Sequence, residues 1–127
     1  MKTFVALIFL VLSSHAVADW VRIGETRIFV SYIDPATIRR NGNLVKLWML
    51  TDFKTIQLKA AVPFWSMKAQ SEFDCTEELW RVLYASEHTE NMGRGRRSAR
   101  NNAVNAEWFP ISPGAMEETL WNVACKK

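Results

Sequence analysis

The residues of this sequence best suited to chemistry are four arginines. Arg94, Arg96, Arg97 and Arg100 lie within seven positions, separated by Gly95, Ser98 and Ala99, with no acid among them. Guanidinium groups bind sulfate, phosphate or carboxylate through paired hydrogen bonds, and neighbouring ones can share a polyanion. Residues 91–102 carry little apolar matter beyond Met92 and read as a polar, flexible loop. Arg94, Arg96, Arg97 and Arg100 are therefore the candidate anion-binding residues, and a solvated connector is the plain alternative.

Other reactive side chains do not assemble into catalytic patterns. His88 stands in Glu87-His88-Thr89-Glu90, a spacing that supplies no metal-ligand set. Asp74, Glu77 and Glu78 cluster without an evident apolar pocket to raise one carboxyl. Gly93 and Gly95 lack the strand-to-helix setting of a phosphate loop. The sequence points to no catalytic residue, no metal site and no cofactor.

The two cysteines, Cys75 and Cys125, take their meaning from the N-terminus. Met1-Lys2 is followed by an apolar run from Phe4 to Leu12, then by Ser13-Ser14-His15 and the small-x-small Ala16-Val17-Ala18. That is the layout of a secretory signal peptide over residues 1–18, too short in its apolar part to span a bilayer. Cleavage would leave a single domain of residues 19–127. No cysteine stands at the cleavage point to take a lipid, and no later apolar stretch reaches membrane length. The expected destination is the periplasm or the exterior, where an even cysteine pair reads as one Cys75–Cys125 disulfide. A nucleophilic cysteine would need a partner base, and beyond the leader His88 is the only histidine. The whole chain carries a net charge of +3, so electrostatic recognition must rest on clustering rather than on total charge.

The elements that must position these groups are mostly strands. Residues 19–24 and 27–33 are rich in β-favouring types, with Asp34-Pro35 expected to end the second run and start a single turn through Ile38. Asn41-Gly42 marks a turn into residues 44–51, apolar almost throughout and so central. Residues 52–64 extend that strand before a turn at Pro63. Met67, Ala69, Ser71, Phe73 and Cys75 alternate with polar residues, which sets Cys75 on the core face with Phe73. Residues 77–86 fit strand better than helix, and residues 103–109 return to a strand-like pattern. Ser112 as N-cap and Pro113 as first residue open a C-terminal helix. Met116, Leu120, Val123 and Ala124 share one of its faces, and Cys125 ends it. Most of the six tryptophans should fill the core, while Trp48, Trp80 or Trp65 could form an aromatic patch.

Four pieces of this sequence recur in a known order. They are Tyr32-Ile33-Asp34-Pro35 with Ile38; Asn41-Gly42-Asn43 leading to Trp48; Glu72-Phe73-Asp74-Cys75; and Trp108-Phe109-Pro110-Ile111-Ser112-Pro113-Gly114 running on to Cys125. Together the chain resembles the surface-adhesin protein E domain of exported Gram-negative proteins. The resemblance implies an α+β fold: a six-stranded antiparallel sheet with a C-terminal helix packed on one face and tied to it by a disulfide. The strand-and-helix pattern read from the residues agrees. The family is named for a lipid-anchored adhesin that binds host matrix and serum proteins, whereas this sequence offers no lipidation cysteine. The shared motifs are turns, tryptophans and cysteines, so they carry no binding residue across. The function expected is an exported, non-enzymatic binding module for a protein, acidic glycan or lipopolysaccharide partner, and not for nucleic acid. A structural or accessory subunit of an envelope assembly is the second reading, and a small apolar-ligand carrier the third.

Overall fold

The computed structural model describes residues 18–102 and 106–126. The expected leader lies outside them except for Ala18, as do residues 103–105 of the strand expected at 103–109.

The chain forms strands β1 (Val21–Glu25), β2 (Phe29–Asn41), β3 (Leu44–Lys59), β4 (Val62–Asp74), β5 (Leu79–His88), β6 (Arg97–Asn102) and β7 (Phe109–Pro110), then helix α1 (Met116–Cys125). The first six strands make an antiparallel meander in sequence order, and two-residue β7 joins the edge of β5 at Leu79 and Trp80. This is the α+β arrangement expected, with β3 and β4 central.

Alternation along the strands builds the core on one face. Ile33, Val45, Leu47 and Phe73 lie beneath Leu120, Trp121, Ala124 and Cys125 of α1. Leu47 and Phe73 are wholly buried, and each such side chain contributes about 1.5–3 kcal/mol on leaving water. The Cys75–Cys125 disulfide closes a separation of 50 residues and ties α1 to the end of β4. Trp121 reinforces the junction, its indole Nε1 donating to the carbonyl of Asp74 at 2.9 Å.

Several expectations need correction. Pro35 does not end β2. The β2–β3 register shifts between the Asp34–Trp48 and Arg39–Lys46 pairs, so Pro35 sits in a bulge where no ladder donor is required. Asp34 Oδ1 accepts from the amide of Ala36 at 3.1 Å, and Thr37 Oγ1 both donates to the Asp34 carbonyl at 2.6 Å and accepts from the amide of Trp48 at 2.9 Å. Side chains thus replace the missing backbone bonds. The β3–β4 turn is at Ala60-Ala61, both with positive φ, while Pro63 lies inside β4 opposite Leu58.

The helix begins at Met116 rather than at Pro113, after Ala115 in extended conformation. Gly114, at φ +79°, turns the chain out of helical geometry just before it. Trp121 takes the inward place given to Val123, which is 37 % exposed. Among residues 106–109, only Phe109 is in a strand.

Candidate functional site

The arginine segment is not a flexible loop. Residues 89–96 form a tight reversal between β5 and β6, and Arg97 and Arg100 belong to β6. The amide of Thr89 donates to the Arg96 carbonyl at 3.0 Å, and the Arg96 amide returns a bond to Thr89 Oγ1 at 2.9 Å. A 3-10 turn at Asn91–Gly93 folds across the sheet face opposite α1. Asp52 of β3 holds it by accepting, at Oδ1, from Asn91 Nδ2 and from the amide of Met92, each at 2.9 Å. Ser66 of β4 adds a second clamp, donating to the Glu90 carbonyl at 2.6 Å and accepting from the Gly93 amide at 2.8 Å. At Gly95, φ is +76° and a Cβ would meet Thr89 and Glu90 side chains, so the reversal requires glycine there.

On this clamped segment Arg94, Arg96 and Arg97 are exposed. None of the three forms a salt bridge among the described residues. Arg97 Nη1 donates to the Tyr84 hydroxyl at 3.3 Å. In β6, Arg97 pairs with His88 and the backbone of Arg100 pairs with Ser86. The structure thus brings Arg94, Arg96 and Arg97 to one end of the sheet, with Arg100 three positions further along β6.

The face that carries them is aromatic as well as basic. Trp48 meets Tyr84 edge-on with ring centroids 5.4 Å apart. Trp20, Trp48, Asp34, Thr37 and Lys68 line a shallow groove there, and Ala18 lies at its margin. Lys68 also borders a second hollow with Met92 and Arg94, so aromatic and arginine regions are continuous. Farther along, Arg81 stacks on Trp108 at 4.2 Å and donates through Nε to the buried carboxylate of Glu72 at 2.9 Å. Of the expected aromatic patch, Trp48 is on this face and Trp65 lines a hollow with Arg94, but Trp80 packs against the helix-side core. Trp121 is the one tryptophan buried among the described residues, at 6 % exposure, while the other five are half-buried, so the core takes fewer of them than expected.

One pairing was invisible in the one-dimensional motif around His88. Ser86 and His88, two apart on β5, point to the same face with Oγ and Nε2 2.8 Å apart. Both are buried, Ser86 to 2 % and His88 to 7 % exposure. Burial, then the nearby charges of Lys68 and Arg97, depress the His88 pKa below its ordinary 6.5. A serine beside a neutral histidine could in principle act as nucleophile and base, but such chemistry needs a substrate within reach of Oγ. Both groups are buried, and each satisfies the other's hydrogen-bonding capacity. No cluster of three metal-capable side chains occurs among the described residues.

Residues 20–126 match the family model for surface-adhesin protein E. Solved structures of Haemophilus influenzae protein E share the fold. One has 13% identity and a TM-score of 0.66, covering 88% of this chain and 87% of the other. A second crystal form has 14% identity and a TM-score of 0.63, covering 76% and 80%. Protein E from a non-typeable strain has 13% identity and a TM-score of 0.64, covering 89% and 79%. No curated protein matches this sequence.

Proposed function

This chain belongs to the surface-adhesin protein E family, and on that premise we propose an exported, adhesin-like binding module that grips acidic macromolecules through Arg94, Arg96, Arg97 and Arg100. The leader ends at Ala18 and the mature domain begins at Asp19, with no lipid anchor at that point. The partner is an acidic glycan, a lipopolysaccharide phosphate or an acidic protein surface met in the periplasm or outside the cell.

One observation carries this reading: Arg94, Arg96 and Arg97 are exposed and unpaired by carboxylates on a segment clamped through Asp52 and Ser66. Ionic attraction at an exposed site is screened over about 8 Å at physiological salt, so several guanidiniums must act together. Because the backbone is already held, less ordering entropy is lost on binding than a free loop would lose. The carrier reading has less support, since Val45, Leu47, Phe73, Leu120 and Trp121 fill the space between helix and sheet.

Retention on immobilised heparin or lipopolysaccharide tests the proposal. The native protein should be held at low salt and released as salt rises. Changing all four arginines to serine should abolish most of that retention with little change in melting temperature, because Arg94, Arg96 and Arg97 are exposed and exposed charges contribute little to stability. Equal retention of the two proteins would reduce the segment to a connector.

A further inference from the structure

The hairpin joining β3 to β4 runs past its neighbours in the sheet. β2 pairs with β3 no further than Phe53, and β5 pairs with β4 no further than Ser66. Beyond those points Gln57 pairs with Phe64, Leu58 with Pro63 and Lys59 with Val62, so the arm is two-stranded. Its surface is aliphatic: Ile56 is 51 %, Leu58 69 % and Val62 43 % exposed. Ala60, Ala61 and Pro63 are exposed beside them. A lone exposed leucine needs no explanation, but an aliphatic cluster on a projecting turn does.

The hairpin's own charges are basic: no acidic residue occurs between Asp52 and Glu72, while Lys54, Lys59 and Lys68 do. Lys54 is paired with Glu25 at 2.9 Å, so the uncompensated charge lies on the side toward β5. Lys59 reaches back to Glu87 at 3.0 Å, which steers the arm toward the end of β5. There Val62 and Pro63 share a groove of about 360 Å³ with Thr89, Arg96 and Arg97. The aliphatic tip therefore has arginines without carboxylate partners at its flank.

We propose that this hairpin is a membrane-contact element, inserting Ile56, Leu58 and Val62 into the headgroup boundary of an anionic bilayer while Arg96 and Arg97 hold lipid phosphates. Protein hot spots favour tryptophan, tyrosine and arginine seated in shaped pockets. The exposed tip offers short aliphatic groups and Lys59 but no aromatic ring, a surface that a bilayer accepts without shape complementarity. Buried apolar area and attraction to anionic lipid act together at such a surface. This goes beyond polyanion recognition, because a soluble polyanion has no use for the aliphatic tip.

The disulfide-bonded protein is mixed with vesicles of phosphatidylcholine, alone or with about one-third phosphatidylglycerol, and co-sedimentation is measured. Binding should require the anionic lipid. The double variant Ile56→Ser/Leu58→Ser should lose about tenfold or more in vesicle affinity, while heparin retention and melting temperature stay native. Leu58→Gln alone should show a smaller loss in the same direction and guards against a folding defect in the double variant. Native-like vesicle binding by both variants, or failure of the native protein to bind anionic vesicles, overturns the proposal. So does sedimentation equilibrium showing a native dimer that the double variant splits, since the tip would then meet a second copy. The four-serine arginine variant should lose anionic-vesicle binding as well, and native vesicle binding by it overturns the phosphate-holding role of Arg96 and Arg97; failure of the native protein to bind heparin while it still binds anionic vesicles overturns only the polyanion reading.

Discussion

At the scale of single residues, His88 shows how burial turns a titratable group into a stability term. Its ring meets Ser86 Oγ, and the charges of Lys68, Arg97 and Glu87 act on it. Desolvation first, then Lys68 and Arg97, lowers its folded pKa below the ordinary 6.5, with Glu87 opposing. The unfolded chain therefore takes up a proton first as pH falls, so stability declines from about pH 6.5 down through the folded pKa and is unaffected well above. Melting temperature measured between pH 7.5 and pH 5 should show this decline, and His88→Gln should flatten it. An equally steep decline in the variant would assign the pH dependence to other groups. The residue identities at this site were plain in the sequence, but the Ser86–His88 contact required knowing that both side chains leave β5 on one face.

At the scale of elements, turns decide where strands begin and end. The turn marked by Asn41-Gly42 is present but is made by Gly42 and Asn43, with Gly42 at φ +61° and Asn41 still paired with Leu44. Ala60 and Ala61 give no such signal, yet they turn the longest hairpin at φ 49° and 65°. An L-residue in that region costs about 1–2 kcal/mol, and asparagine followed by glycine adopts it more readily. The double change Ala60→Asn/Ala61→Gly should therefore raise stability by about 1–2 kcal/mol, seen as a higher urea midpoint at unchanged slope. An unchanged midpoint would show that the turn is not strained. Strand β6 leaves no local signal for a related reason. Its residues Arg97–Asn102 lack apolar alternation, because an edge strand can be polar and still satisfy the backbone of β5.

At the scale of the whole molecule, the disulfide holds two layers together. Cys125 ends the only α-helix among the described residues and Cys75 follows the last residue of β4, so the bond fixes the helix over Phe73 and Leu47. The exported protein should start at Asp19 and weigh two hydrogens less than its reduced form by intact-mass spectrometry. Cys75→Ser should cost about 2–5 kcal/mol while strand content survives at low temperature; melting within a degree or two of native would remove the clamp from the account. The sequence by itself determined the alternation of β4, the central apolar β3, the paired cysteines, the helix near the C-terminus and the arginine cluster. Each is written in local periodicity or residue type. Only the tertiary structure decided that Pro35 lies in a bulge, that the arginine segment is clamped by Asp52 and Ser66, and that an aliphatic hairpin outruns the sheet. Those outcomes depend on which distant strand supplies a backbone partner and where that partner stops, and no local pattern encodes either.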